Sequence, residues 1–163
     1  MCKKVILAIS IILSFCAAKA QLKEFTLTDE WVQKIEKLAP AKPEVQPNKH
    51  HRVLVFSLFT GFDHWVVPHT DAVMKVLAEK TGAFEVEFSK DIYKFEKKNL
   101  KDYDAVVLNN NCSVGPRRDL LQDVLDKDAS LTDDQRKKKA AELEANLIEY
   151  VKKGGGLMVV HGA

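Results

Sequence analysis

Three short apolar runs, Val53-Leu54-Val55-Phe56, Ala105-Val106-Val107-Leu108 and Leu157-Met158-Val159-Val160, limit what this chain can fold into more than any other feature. Each is continuous, rich in β-branched residues and too short for a helix. That is the pattern of strands covered on both faces, which points to a parallel sheet wrapped by helices. The segments between the runs agree. Pro68 opens a stretch with Val73, Val76, Leu77 and Lys80 at helical spacing, ending near Gly82. Phe84-Glu85-Val86-Glu87-Phe88 alternates and reads as a half-exposed strand at a sheet edge. Thr132-Asp133-Asp134-Gln135 is a capping box for a long helix, with Leu143, Leu147 and Val151 turned inward and the basic run from Arg136 to Lys139 on a solvated face. Gly154-Gly155-Gly156 ends that helix; it precedes a strand instead of following one, so it is a helix exit and not a phosphate loop. The order strand, helix, strand, strand, helix, strand predicts an α/β fold with right-handed crossovers.

Upstream of Arg52 the pattern differs. Lys3 and Lys4 precede an apolar run from Val5 to Phe15, and Ala18-Lys19-Ala20 follows. The run is well short of the roughly 20 residues a spanning helix needs, so residues 1–20 read as a secretory signal peptide cleaved before Gln21. The expected location is periplasmic or secreted, with no membrane span after cleavage. Lipidation through Cys16 is the weaker reading, because Phe15 stands where a small residue is wanted. The leader holds three of the 25 basic side chains and none of the 23 acidic ones, so its loss turns a formal charge of +2 into −1. That balance argues against a nucleic-acid partner. Of three cysteines only Cys112 remains, which rules out an internal disulfide framework. Residues 21–51 form an N-terminal segment: Thr28 caps a helix carrying Trp31, Val32, Ile35 and Leu38, Pro40 stops it, and Pro43 and Pro47 stiffen a linker. Residues 52–163 form the α/β domain.

Ligands of open parallel sheets collect beyond the carboxyl ends of the strands. The loops there hold most of the suggestive polar residues. After the first strand come Gly61, Asp63, His64, Trp65 and His69; after the third come Asn109, Asn110, Asn111, Cys112, Arg117 and Asp119; after the fourth comes His161. Imidazoles and carboxylates exchange protons or bond hydroxyls, amides bond hydroxyls, and aromatic faces stack on sugar rings. Plainer readings compete. Trp65 and His69 fit a core role, His64 a helix cap, the asparagines an Asx-turn cluster, and Arg117 or Arg118 an ion pair with Asp119. Cys112 reads as a small core thiol, since a nucleophile needs an adjacent base. His64, His69 and His161 invite a metal reading completed by Asp63 or Cys112, but no paired-ligand motif supports it, and His50 and His51 lie in the linker. The sequence names no metal, cofactor or oligomeric state.

Taken together, Arg52 to Phe56, the Thr60-Gly61-Phe62-x-His64 loop, Pro68, Tyr103-Asp104-Ala105-Val106-Val107, and Gly154 through His161-Gly162-Ala163 resemble the trehalose-utilisation, or ThuA-like, family over residues 52 to 163. The resemblance implies the class I glutamine amidotransferase-like superfamily and a flavodoxin-like three-layer sandwich. It implies a role in using trehalose or another glycoside, with His64 and His161 on the family's two motif histidines. The elbow that bears Cys in true amidotransferases bears His161 here, so glutamine hydrolysis is not expected. Gly61, Asp63, Asn109, Asn110 and Arg117 are the candidate contacts to a small carbohydrate. Family domains continue past this elbow, so the resemblance implies a chain truncated within its domain, with an incomplete sheet at the C-terminus. Three other readings stand beside this one: a carbohydrate-binding module without catalysis, a fragment without independent function, and a metal-dependent hydrolase.

Overall fold

The computed structural model describes residues 25–161. The signal-peptide and Cys16 readings, and Gly162 and Ala163 of the expected turn, lie outside the described residues. Helix α1 (Asp29–Leu38) starts where Thr28 Oγ1 accepts the Trp31 backbone N–H at 3.2 Å. The linker then leads to β1 (Arg52–Phe56), α2 (Val67–Thr81) and β2 (Glu85–Ser89). Pro sits in the first turn of α2, and Gly82 closes the helix at φ 62°, a left-handed conformation that glycine adopts without a Cβ penalty.

From β2 the chain returns through a 3-10 turn (Ile92–Phe95) and a one-turn helix α3 (Lys97–Leu100) to β3 (Ala105–Asn109). Helices α4 (Leu120–Leu125) and α5 (Asp133–Lys152) lead to β4 (Gly156–Val160). The predicted capping box is present at Thr132 and Gln135. All pairings are parallel and the strand order is β2-β1-β3-β4. β1 and β3 are therefore central, which is why their runs are continuous and apolar.

Side chains alternate across the sheet and form two cores. Leu54, Phe56 and Val106 pack with Ile92, Phe95, Leu125 and Leu143 on the side of α3, α4 and α5. Val53, Val55 and Val107 pack with Met74, Phe84 and Val86 on the α2 side. The architecture is α/β with an all-parallel four-stranded sheet between helical layers, as the apolar runs and the resemblance predicted.

Several local expectations need correction. β4 reads as a doubly covered strand, yet Leu157, Met158 and Val159 are 43 to 55% exposed, because β4 lies at an edge of the described sheet. Val151 is 37% exposed, so the inner face of α5 is made by Ala140, Leu143 and Asn146, with Leu147 half-buried against the same core as expected. The basic run is only partly solvated: Arg136 donates to the Asp128 carbonyl at 2.7 and 3.0 Å, and Lys139 pairs with Glu96 at 2.8 Å. In β2 the alternation is reversed at one pair, with Phe88 exposed and Glu87 half-buried. The reason is Tyr103, whose hydroxyl donates to Glu87 at 2.6 Å while accepting from Lys94 at 3.1 Å.

Candidate functional site

The loops beyond β1 and β3 are joined before any histidine is positioned. Thr60 and Gly61 both donate their backbone N–H to the Cys112 carbonyl, at 2.9 and 3.0 Å. Asn111 Nδ2 donates to the Phe56 and Leu58 carbonyls at 3.1 and 2.7 Å. A Cβ on Gly61 would stand 2.6 Å from the Ser113 carbonyl oxygen, so only glycine permits this approach. Gly61 thus serves the backbone geometry of the site.

Asp123 anchors the same pair of loops. It is buried on α4 and accepts from Thr60 Oγ1 at 2.6 Å, the Val114 N–H at 3.0 Å and Arg117 Nη2 at 2.8 Å. Burial pushes this carboxyl up, but the bonds from Thr60, Arg117 and Val114 outweigh it and leave the group below its usual range. Arg117 also donates to Asp126 at 3.0 Å. Its partners are therefore Asp123 and Asp126, whereas Asp119 caps α4 through the Gln122 N–H at 2.9 Å.

On this frame His64 and His161 meet, their ring centroids 5.2 Å apart and their planes at 83°. His64 is half-buried and His161 exposed. Phe62 stacks edge-on against His64 at 4.6 Å and is itself 66% exposed. His64 Nε2 lies 3.3 Å from Cys112 Sγ, and His161 Nδ1 lies 3.3 Å from Asn110 Oδ1. Cys112 is therefore not a core thiol: it is half-buried with an imidazole beside it. His64 does not cap α2 with its side chain, since that helix has no side-chain cap and only the His64 carbonyl accepts, from Val67 N–H at 3.0 Å.

The remaining candidates separate. Asn109 and Asn110 are fully buried and bonded to each other, Asn110 Nδ2 donating to Asn109 Oδ1 at 2.6 Å. They act beneath the surface of the site and are not at it. Asp63 is exposed and makes no hydrogen bond or ion pair among the described residues. His69 is buried and Trp65 half-buried, away from the two cores: His69 Nδ1 donates to the Trp65 carbonyl at 3.1 Å, and its ring packs against Phe25, Trp31 and Trp65. Among the described residues, no group of three His, Cys, Asp or Glu side chains is placed to hold a metal ion. No helix among them is long and apolar enough to cross a membrane.

Sequence reasoning missed Asp71, Ser57 and Asp123. Asp71 accepts from Ser57 Oγ and Asn109 Nδ2, both at 2.8 Å. Nothing in the local pattern marks Asp71, since its importance comes from where α2 crosses the end of β3. Asp123 had a signal: Asp119-Leu120-Leu121-Gln122 has the spacing of a helix start, and reading it so would have placed α4 and its buried acid.

No curated protein and no solved structure matches the chain. A family model described as ThuA, trehalose utilisation, matches residues 52–163. That span covers more than half of the sequence, begins at the first residue of β1 and takes in every loop of the site, so the chain belongs to the ThuA, or trehalose-utilisation, family.

Proposed function

We propose that the face at the carboxyl ends of β1, β3 and β4 takes a small carbohydrate, trehalose or another glycoside, with His64 and His161 as its working groups. The observation that carries this reading is the convergence of the two imidazoles 5.2 Å apart at the sheet's carboxyl end, in a chain of a trehalose-utilisation family. Asn110 Oδ1 is an amide oxygen and accepts only, so the proton between it and His161 sits on Nδ1. Nε2 of His161 then carries the lone pair and is the atom able to accept a proton from a sugar hydroxyl. His64, facing it, orients or polarises the same ligand, and the exposed Phe62 ring offers an apolar face for a pyranose. Glutamine hydrolysis is not part of the proposal, because the elbow position holds His161 and not a thiol.

The exposed Phe62 ring also favours a second reading, a carbohydrate-binding module without turnover. His161→Gln separates the two. Under the first reading the variant loses turnover of a glycoside; under the second it binds the sugar as the wild type does, and no turnover exists to lose. Calorimetry with trehalose and related glycosides tests the common premise, and absence of any sugar binding would remove both.

We also propose export, on the strength of Lys3, Lys4, the apolar run from Val5 to Phe15 and Ala18-Lys19-Ala20. N-terminal sequencing of protein expressed with its leader should begin at Gln21. An intact Met1 in the recovered protein would refute it.

A further inference from the structure

Between α2 and His161 runs an unbroken file of hydrogen bonds. Asn109 Nδ2 donates to Asp71 Oδ1 at 2.8 Å, Asn110 Nδ2 donates to Asn109 Oδ1 at 2.6 Å, and His161 Nδ1 faces Asn110 Oδ1 at 3.3 Å. Ser57 Oγ donates to the same Asp71 oxygen at 2.8 Å and accepts from Asn109 Nδ2 at 3.3 Å. The two asparagines are fully buried. We propose that Asp71 is a positioning residue which, through Asn109 and Asn110, fixes the Nδ1–H tautomer and ring orientation of His161 and leaves its Nε2 as the proton acceptor.

The carboxylate gives the file a direction. An amide side chain has one accepting and one donating end, so either end of an isolated Asn-Asn pair can face a neighbour. A carboxylate accepts and does not donate. With Asp71 at one end, 2.8 Å away, Asn109 must turn Nδ2 toward it, and the longer 3.3 Å contact of the Val67 carbonyl with the same nitrogen fits that orientation without fixing it. Asn109 Oδ1 is then aimed at Asn110, which must answer with Nδ2 and leave Oδ1 for the imidazole. Each step fixes the next, and the last one selects the tautomer of His161.

The backbone holds the file in place. Asn110 N–H donates to the Val160 carbonyl at 3.2 Å, so the end of β3 grips the residue before His161. Asn110 itself has φ 55°, in the left-handed region that asparagine tolerates better than other residues with a Cβ. One residue type therefore satisfies both the backbone turn and the relay. Buried polar networks of this kind are costly if any member loses its partner, which makes the orientation stiff.

The inference rests on the reading of His161 as a working group for its significance, but its test does not use sugar. Imidazole ¹⁵N spectra of the full chain at neutral pH, with His161 identified by its loss in His161→Gln, should show a protonated, pyrrole-type Nδ1 and a pyridine-type Nε2. His50, whose Nε2 faces Glu85 at 3.0 Å, should show the opposite tautomer in the same spectrum. In Asp71→Leu, which leaves Asn109 Nδ2 without its acceptor on α2, the His161 Nδ1 resonance should move toward the pyridine-type end while the His50 resonances stay in place. Asp71→Ala gives the same readout if the leucine variant fails to fold. A wild-type His161 protonated at Nε2, or a folded Asp71 variant with an unchanged His161 spectrum, overturns the proposal. Failure of sugar binding with the Nδ1–H tautomer intact would instead sink the carbohydrate reading and leave this one standing.

Discussion

At the amino end of the sheet, charge is paired with charge in view of solvent; at the carboxyl end, neutral amides and imidazoles are packed together and two shielded carboxylates hold them. Lys49 and His51 reach Asp104, His50 reaches Glu85, and Arg52 and Lys94 reach Glu87. The exposed pairs among these, Lys49 with Asp104 and His50 with Glu85, are worth about 0–1 kcal/mol each and tolerate change. Hydrogen bonds to Glu87 first and to Tyr103 second push Lys94 up to about 12, so its pairing with Glu87 persists through the physiological range. The carboxyl end has no such redundancy. Asp123 ties together the loops after β1 and β3, and Asp71 sets the direction of the amides under His161. The contrast teaches that the amino end is built to hold the sheet together, whereas the carboxyl end spends buried polar groups on orientation.

The largest expected effect follows from removing a shielded carboxylate. Asp123→Ala should destabilise the protein by about 3 kcal/mol, since Thr60, the Val114 N–H and Arg117 all lose one acceptor. Urea unfolding measures this, and a loss no greater than that of an amino-end pair would break the comparison. Gly61→Ala should cost about 2 kcal/mol, because its Cβ would press within 2.6 Å of the Ser113 carbonyl and one of the two loops must move. The same unfolding curves decide it.

Next comes the ligand itself. His161→Gln should lower glycoside turnover by about a hundredfold or more, the loss expected of a missing proton acceptor, with little change in stability because His161 is exposed. Acid should act on the same end. The folded Asp123 carboxyl sits below its usual range, so its contribution is present above the unfolded value near about 3.9 and disappears as pH falls through the folded value. Stability measured from pH 6 to pH 3 should therefore fall more steeply in the wild type than in Asp123→Ala. The smallest effect belongs to the amino end: Lys49→Met should change stability by about 1 kcal/mol or less and leave sugar binding untouched.

Legibility followed the same division. β1 and β3 could be read because burial on both faces leaves a continuous apolar run, and α5 because its capping box and length are local properties. The 3-10 turn, α3 and α4 span four to six residues, too few for a helical period to register. β4 was legible as a strand but not as an exposed one, because its composition matches β3 and only the strand order puts it at the edge. His64 and His161 stood out through the resemblance and their places at strand ends. Cys112 did not, since the imidazole beside it comes from a loop 48 residues away. Asp71 carries no local motif and is singled out by its contacts at the ends of β1 and β3, whereas Asp123 follows a helix start at Asp119 that was legible and went unread.

The most direct test of the account is an amide NMR titration of the protein with trehalose and a panel of other glycosides. The account predicts that at least one of these sugars shifts the resonances of Gly61, His64, Asn110, Cys112 and His161 and leaves those of Arg52, Glu87 and Lys94 unmoved. Shifts confined to the amino end of the sheet, or no shift with any sugar, would contradict it.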